Sequence, residues 1–217
     1  LLGQSDSISP RSIENIFPIQ LDSISLEKEG DILLSPISMH IKQGEKIAII
    51  GESGSGKTTL LNIIHGEETP TSGQISFSDQ NLSRQEITSI SSYILQDSHY
   101  FDTLSLEDNI LLELDKNKET LNHILKTTGL EHLKNRTLSN DSLSGGEKQR
   151  LEIARALYHD SQLILADEIK ANLDLENSRK ISDLLFSLPQ TVIEVIHHYT
   201  EEDLKHYDQV IHLSKEK

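Results

Sequence analysis

The stretch Gly51-Glu52-Ser53-Gly54-Ser55-Gly56-Lys57-Thr58-Thr59 constrains this chain more than any other. Glycines at 51, 54 and 56 allow backbone angles that a side chain with a Cβ disfavours. Lys46-Ile47-Ala48-Ile49-Ile50 before it reads as a short buried strand, and Leu60-Leu61-Asn62-Ile63-Ile64 after it suits a helix packed on a sheet. A strand, a glycine loop and a helix in that order turn successive N–H groups inward, and the helix start adds partial positive charge. Phosphate oxygens fit such a cradle. The spacing G-x-x-x-x-G-K-[ST] is the P-loop, in which Lys57 reaches the β- and γ-phosphates of a nucleotide and the Thr58 hydroxyl holds Mg²⁺. A ligand-free Gly/Ser turn is the alternative, and it has no use for the Lys-Thr pair.

A phosphate site alone does not define a reaction. Leu163-Ile164-Leu165-Ala166-Asp167-Glu168 puts four apolar residues before two acids. This places a carboxylate at the C-terminal end of a buried strand, the edge at which open α/β sheets bind ligands. Asp167 is positioned to fix Mg²⁺ through water, and Glu168 to accept a proton from an attacking water. A solvated acidic pair ending a strand is the plain alternative. A further segment, Leu143-Ser144-Gly145-Gly146-Glu147-Lys148-Gln149-Arg150, precedes a helix through Ile153, Ala154, Ala156 and Leu157. Its serine and two glycines expose a hydroxyl and N–H groups at a helix start, a second anion nest. One nucleotide does not need two nests, so the second is read as serving a nucleotide on another copy.

Along the chain, residues 1–18 are polar, broken by Pro10 and Pro18, and read as a linker. Ile19, Leu21, Ile24 and Leu26, then a turn at Glu29-Gly30-Asp31, then Ile32 to Ile41 predict an antiparallel β-layer leading into the strand before the P-loop. Gln74 to Phe77 and Ser92 to Leu95 predict two further strands. Residues 97–143 change to helical spacing, at Leu106 to Leu112 and Thr120 to Leu125. Strand–helix alternation then resumes through 163–166, 175–188, 191–196 and 209–213, which implies a mostly parallel sheet. The expected class is α/β, a P-loop nucleoside triphosphatase with an antiparallel β subdomain and an inserted helical lobe at about 97–150, the whole domain spanning 19–217.

The net charge of −15, from 35 acidic and 20 basic side chains, argues against a nucleic-acid partner. With no cysteine there is neither a disulfide framework nor a thiolate metal site. No apolar run approaches the ~18 residues that span a bilayer.

The P-loop, Gln96 after a strand, LSGGEKQR, the Asp167-Glu168 pair, Ala171-Asn172-Leu173-Asp174 and His197 after a strand occur in the order seen in ATP-binding cassette (ABC) ATPases. The chain resembles that family over roughly residues 19–213. The resemblance implies a RecA-like core with an antiparallel β subdomain and a helical subdomain. It also implies a head-to-tail dimer with a second nucleotide-binding domain, sandwiching two ATP molecules. By the same resemblance the P-loop amides, Lys57 and Thr58 bind phosphate and Mg²⁺. Gln96 senses Mg²⁺ or water and couples to the helical lobe. Ser144, Gly145 and Gly146 face the γ-phosphate across the dimer, Glu168 is the catalytic base, Asp174 the acid of the following loop, and His197 the γ-phosphate switch. The pair His197-His198 also reads as a metal-binding pair.

Two departures stand out. The adenine-stacking aromatic of the family falls on Lys28, with Phe17 as the alternative cover for the base, and the Pro-Thr or Pro-Ser after the acids is Ile169-Lys170. The expected role is ATP hydrolysis driving transport, at the cytoplasmic face of a membrane and in contact with transmembrane domains. Without an initiator Met, residues 1–18 look like the linker of a fused exporter. A free-standing ATPase subunit docking on a separate permease is the alternative, and a non-transport ABC ATPase is a third.

Overall fold

The computed structural model describes residues 13, 15–97, 99–112, 114–139 and 142–215. Most of the expected linker lies outside these. Its last residues, Ile16 and Phe17, are buried with the β-layer rather than free of it.

The layer consists of β1 (Ile19–Lys28), β2 (Asp31–Ile41) and β4 (Ser72–Phe77), antiparallel in the order β2-β1-β4. Ile19, Leu21, Ile24 and Leu26 all point inward, although a strand of period two cannot place both Leu21 and Ile24 on one face. A bulge resolves this. The register shifts between Leu21↔Met39 and Ile24↔Ile37, and Ser23 takes φ 48°. The extra residue returns the apolar set to the core side.

The second sheet is parallel, with β5 (Ser91–Ile94), β6 (Leu163–Asp167), β7 (Thr191–Val195), β3 (Lys46–Gly51) and β8 (Gln209–Leu213) in the order β5-β6-β7-β3-β8. The expected strand at 92–95 is one residue out of step, since Leu95 is exposed beyond the end of β5. Alternate residues sort to opposite faces. Ile47, Ile49, Leu163, Leu165, Ile193 and Val195 meet α1 (Lys57–Ile64) and the β-layer. Ile164, Ala166 and Val192 meet α5 (Gly145–Tyr158) and α6 (Leu175–Ser187). Both faces are covered, which is why the interiors of β3 and β6 read as unbroken apolar runs, whereas β7 carries a buried Glu194 among its apolar residues.

The helical lobe holds α3 (Leu106–Leu111), α4 (Lys118–Thr127), a 3₁₀ turn at Glu131–Leu133 and the start of α5. It has its own apolar core of Leu106, Ile110, Leu121, Leu125, Leu130 and Leu151. Helix α5 is the shared wall: Leu151 and Ala154 face the lobe, while Ile153 and Ala156 face α6 and the sheet. Two short helices, α2 (Arg84–Ile90) and α7 (Glu201–Leu204), complete the described chain.

Candidate active site

The C-terminal ends of β3, β6 and β7 lie side by side and carry the chemistry. From β3 the chain enters the glycine loop. Glu52, Ser53 and Gly54 are exposed at its crown, whereas Ser55, Gly56 and Lys57 are buried. Gly54 and Gly56 have φ of 77° and 92°, a left-handed backbone that glycine takes without strain. At Gly56 space forbids a side chain as well, since a Cβ would come within 2.6 Å of the Leu33 carbonyl oxygen. The Lys57 ammonium folds back and donates to the carbonyls of Gly51 and Glu52, both at 2.9 Å. It therefore lies within the arc it has to serve. Ser55 Oγ is buried with no hydrogen-bond partner, a donor left for an anion. Thr59 is half-buried in the first turn of α1.

Asp167 ends β6, 8% exposed. Its Oδ2 accepts from the Thr58 hydroxyl at 2.8 Å and from the Tyr93 phenol at 3.2 Å. Its Oδ1 is buried and unpartnered. Burial, and then the Asp167 charge, push the Tyr93 phenol above its ordinary value, so it stays a donor. An orphaned carboxylate oxygen beside a threonine hydroxyl fits a hard divalent cation such as Mg²⁺, which uses one or two carboxylates and takes its other ligands from phosphate and water. Consistent with that sparse ligand set, the described residues hold no cluster of three or more His, Cys, Asp or Glu placed to bind a metal. The rings of His197 and His198 lie 6.5 Å apart between centroids, and His197 contacts Glu168.

His197 Nε2 stands 2.8 Å from Glu168 Oε1, with about a third of each side chain exposed. The Glu168 backbone is left-handed, φ 54°, and its N–H donates to the Val195 carbonyl at 3.3 Å. The unusual backbone turns the side chain off the strand line and across to the end of β7. The structure thus brings Lys57, Thr58, Asp167, Glu168 and His197 to one edge.

Gln96 follows β5 with its side chain exposed, and its carbonyl accepts from Gln149 Nε2 of α5 at 2.9 Å. The bond ties the Gln96 backbone, not its side chain, to the helix shared by the lobe and the sheet.

Ser144, Gly145, Gly146 and Asp174 form a separate group. Ser144 caps α5: its Oγ accepts from the Glu147 N–H at 3.3 Å, and its N–H donates to Glu147 Oε2 at 2.8 Å. Burial raises the Glu147 carboxyl, but the Ser144 hydroxyl and N–H and His132 outweigh this and hold it at about 2. Asp174 caps α6, accepting from the Asn177 N–H at 2.9 Å. A Cβ at Gly145 would meet Leu173 Cδ2 at 3.0 Å, and one at Gly146 would meet Asn177 Oδ1 at 2.7 Å. The starts of α5 and α6 therefore interlock. The capping box was readable as Ser144-x-x-Glu147; Tyr93 gave no signal beyond its place in a strand.

Lys28 lies at the far end of β1, exposed, and its ammonium donates to both Glu68 oxygens at 2.8 and 2.9 Å. Phe17 is buried at 6% exposure, so it offers no cover for a base.

Comparison with known proteins agrees with this arrangement. Residues 34–171 match the family described as ABC transporter. The chain is 35% identical over 209 residues to the spermidine/putrescine import ATP-binding protein PotA of Mycoplasma mycoides, covering 89% of this chain and 58% of that protein. It is 39% identical over 169 residues to the ABC transporter ATP-binding protein YxdL of Bacillus subtilis, covering 71% and 65%. The chain thus spans less than two thirds of the length of these relatives. Among solved structures, cbiO1 of Clostridium perfringens, described as part of the ABC transporter complex cbiONQ, superposes with a TM-score of 0.81 at 26% identity, over 92% of this chain and 84% of that one.

Proposed function

The chain belongs to the ABC transporter family, whose model it matches across more than half its length, and on that premise we propose that it binds and hydrolyses ATP to power transport across a membrane. The observation that carries the reading is the 2.8 Å contact of Glu168 with His197 beside the Thr58–Asp167 pair. The P-loop amides and Lys57 hold the phosphates. Glu168 takes the proton of a water attacking the γ-phosphate, and His197 keeps that carboxylate turned toward the reacting edge. Thr58 and Asp167, with Gln96 nearby, would hold Mg²⁺, which when bound neutralises charge on the phosphate oxygens.

The group at Ser144, Gly145, Gly146 and Asp174, gathered where the starts of α5 and α6 interlock, would serve the nucleotide of a second copy in a head-to-tail dimer. Exposed Leu95, next to Gln96, and Phe101 line one pocket, which supports contact with a transmembrane component at the cytoplasmic side. No helix among the described residues is long and apolar enough to cross a membrane. The exporter reading draws no support from the curated relatives, since PotA is named an import protein; a subunit docking on a separate permease is the form proposed. Phosphate release from ATP by the purified chain, lost in Glu168→Gln, tests the reaction. Equal release by that variant would overturn it.

A further inference from the structure

A cavity of about 750 Å³ opens between α6, α7 and the segment that follows β7. In its wall stands a carboxylate with no place in the reaction described. Glu194 sits mid-strand in β7, 2% exposed, in register with Ala48 on one side and Ala166 on the other. The two alanines leave room for its side chain. Lys170 Nζ lies 2.9 Å from Glu194 Oε1 and donates to Ser182 Oγ of α6 at 2.9 Å. The Tyr207 hydroxyl donates to the other carboxylate oxygen.

A buried ion pair is poor evidence of stabilisation, because apolar residues of like volume usually serve the fold as well. Its placement is the informative part. Lys170 lies in the turn that follows Glu168: the Ala171 N–H donates to the Glu168 carbonyl at 3.0 Å and the Leu173 N–H to the Lys170 carbonyl at 3.2 Å. Glu194 lies on the neighbouring strand β7, three residues before His197, which follows that strand's end. The pair therefore bolts the turn that follows Glu168 to the strand that leads into His197. A non-glycine residue at φ 54° persists only where its surroundings fix it. We propose that Lys170 is a positioning residue for hydrolysis, its ion pair with Glu194 holding the Glu168 turn against β7 so that the carboxylate meets His197. This rests on the ATPase reading.

The test compares wild type with Lys170→Met/Glu194→Leu, which removes both charges together and so leaves no unpaired buried charge. The expected result is a melting temperature and KM for ATP close to wild type, with kcat lower by about 10- to 100-fold, the scale on which small misplacements act. Amide exchange at Ala171 should accelerate at least tenfold, while exchange in β3 and α1 is unchanged. A double variant with wild-type melting temperature, kcat and Ala171 exchange would overturn the proposal. If the double variant does not fold, Lys170→Met/Glu194→Gln keeps an acceptor for the Tyr207 hydroxyl but breaks the tie to residue 170, and undiminished kcat in that variant overturns the proposal equally. A parallel Glu168→Gln control separates the two failures. If that control still turns over, the catalytic reading falls, and exchange at Ala171 alone decides whether the pair holds the turn.

Discussion

Glu168 and His197 meet across the ends of two adjacent parallel strands, carboxylate to imidazole, at 2.8 Å. Each is only partly exposed, so the contact is reachable by water yet held by the strands behind it. Replacing the carboxylate while keeping its shape isolates the proton-accepting role. Glu168→Gln should bind ATP as wild type does and hydrolyse it at least ~10²-fold more slowly, the range of general-base help. Phosphate release and nucleotide binding, measured on the same preparation, check both halves.

Asp167 has one oxygen satisfied by Thr58 and Tyr93 and one left over. Chelating Mg²⁺ should abolish phosphate release. Tyr93→Phe removes one orienting donor and should raise the Mn²⁺ dissociation constant in the presence of nucleotide by about 10-fold, as losses of ligand-orienting hydrogen bonds do. Electron paramagnetic resonance of free Mn²⁺ reads this without any turnover. An unchanged constant would place the tyrosine outside the site.

If the Ser144–Gly146 group receives a nucleotide from a second copy, the slow variant should trap that assembly. Glu168→Gln is expected to dimerise on addition of ATP, with the wild-type chain largely monomeric without it. Sedimentation at saturating ATP decides; a monomer there counts against the sandwich.

Glu147 has its carboxyl at about 2, below its ordinary 4.5. A depressed folded-state value gives stability that is fully present above the unfolded value and lost as pH falls toward the folded one. The advantage of wild type over Glu147→Ala should therefore hold above about pH 4.5 and fade between there and pH 2. Its plateau should be about 1 kcal/mol, the worth of a helix cap. Urea unfolding at several pH values measures it.

Lys28 pairs with Glu68, a contact that competes with any placement of its ammonium over a base. The pair is exposed and contributes at most ~1 kcal/mol, so removing it should leave the fold intact. Lys28→Tyr is expected to tighten ATP binding several-fold with little change in kcat at saturation, and wild type to discriminate weakly between ATP and GTP. Titration with a fluorescent analogue checks this, and equal or weaker binding by the variant would place residue 28 away from the adenine.

Local chemistry was legible in the sequence where neighbours in the chain are also partners in the fold. The strand into Gly51, the acid at the end of β6 and the helix starting at Ser144 depend on a few consecutive residues, and all three lie where spacing put them. Helices α2 and α7 had legible signals too, in the boxes Ser83-x-x-Glu86 and Thr200-x-x-Asp203, yet each is so short that apolar periodicity says nothing. The bulge at Ser23 was visible only as an odd spacing between Leu21 and Ile24. Tyr93 with Asp167, and Lys170 with Glu194, were not legible. Their partners are separated by tens of residues and meet only because β5, β6 and β7 pair in a particular register.

Gly146 leaves no room for a methyl group beside Asn177, and Gly145 little beside Leu173. Two stretches of chain some thirty residues apart thus share one small volume, and neither can grow unless the other shrinks. Sequence drift here has to be concerted: among descendants of this chain, a larger residue at 146 should survive only alongside a smaller one at 177. A lineage in which the two positions vary freely would have parted the starts of α5 and α6.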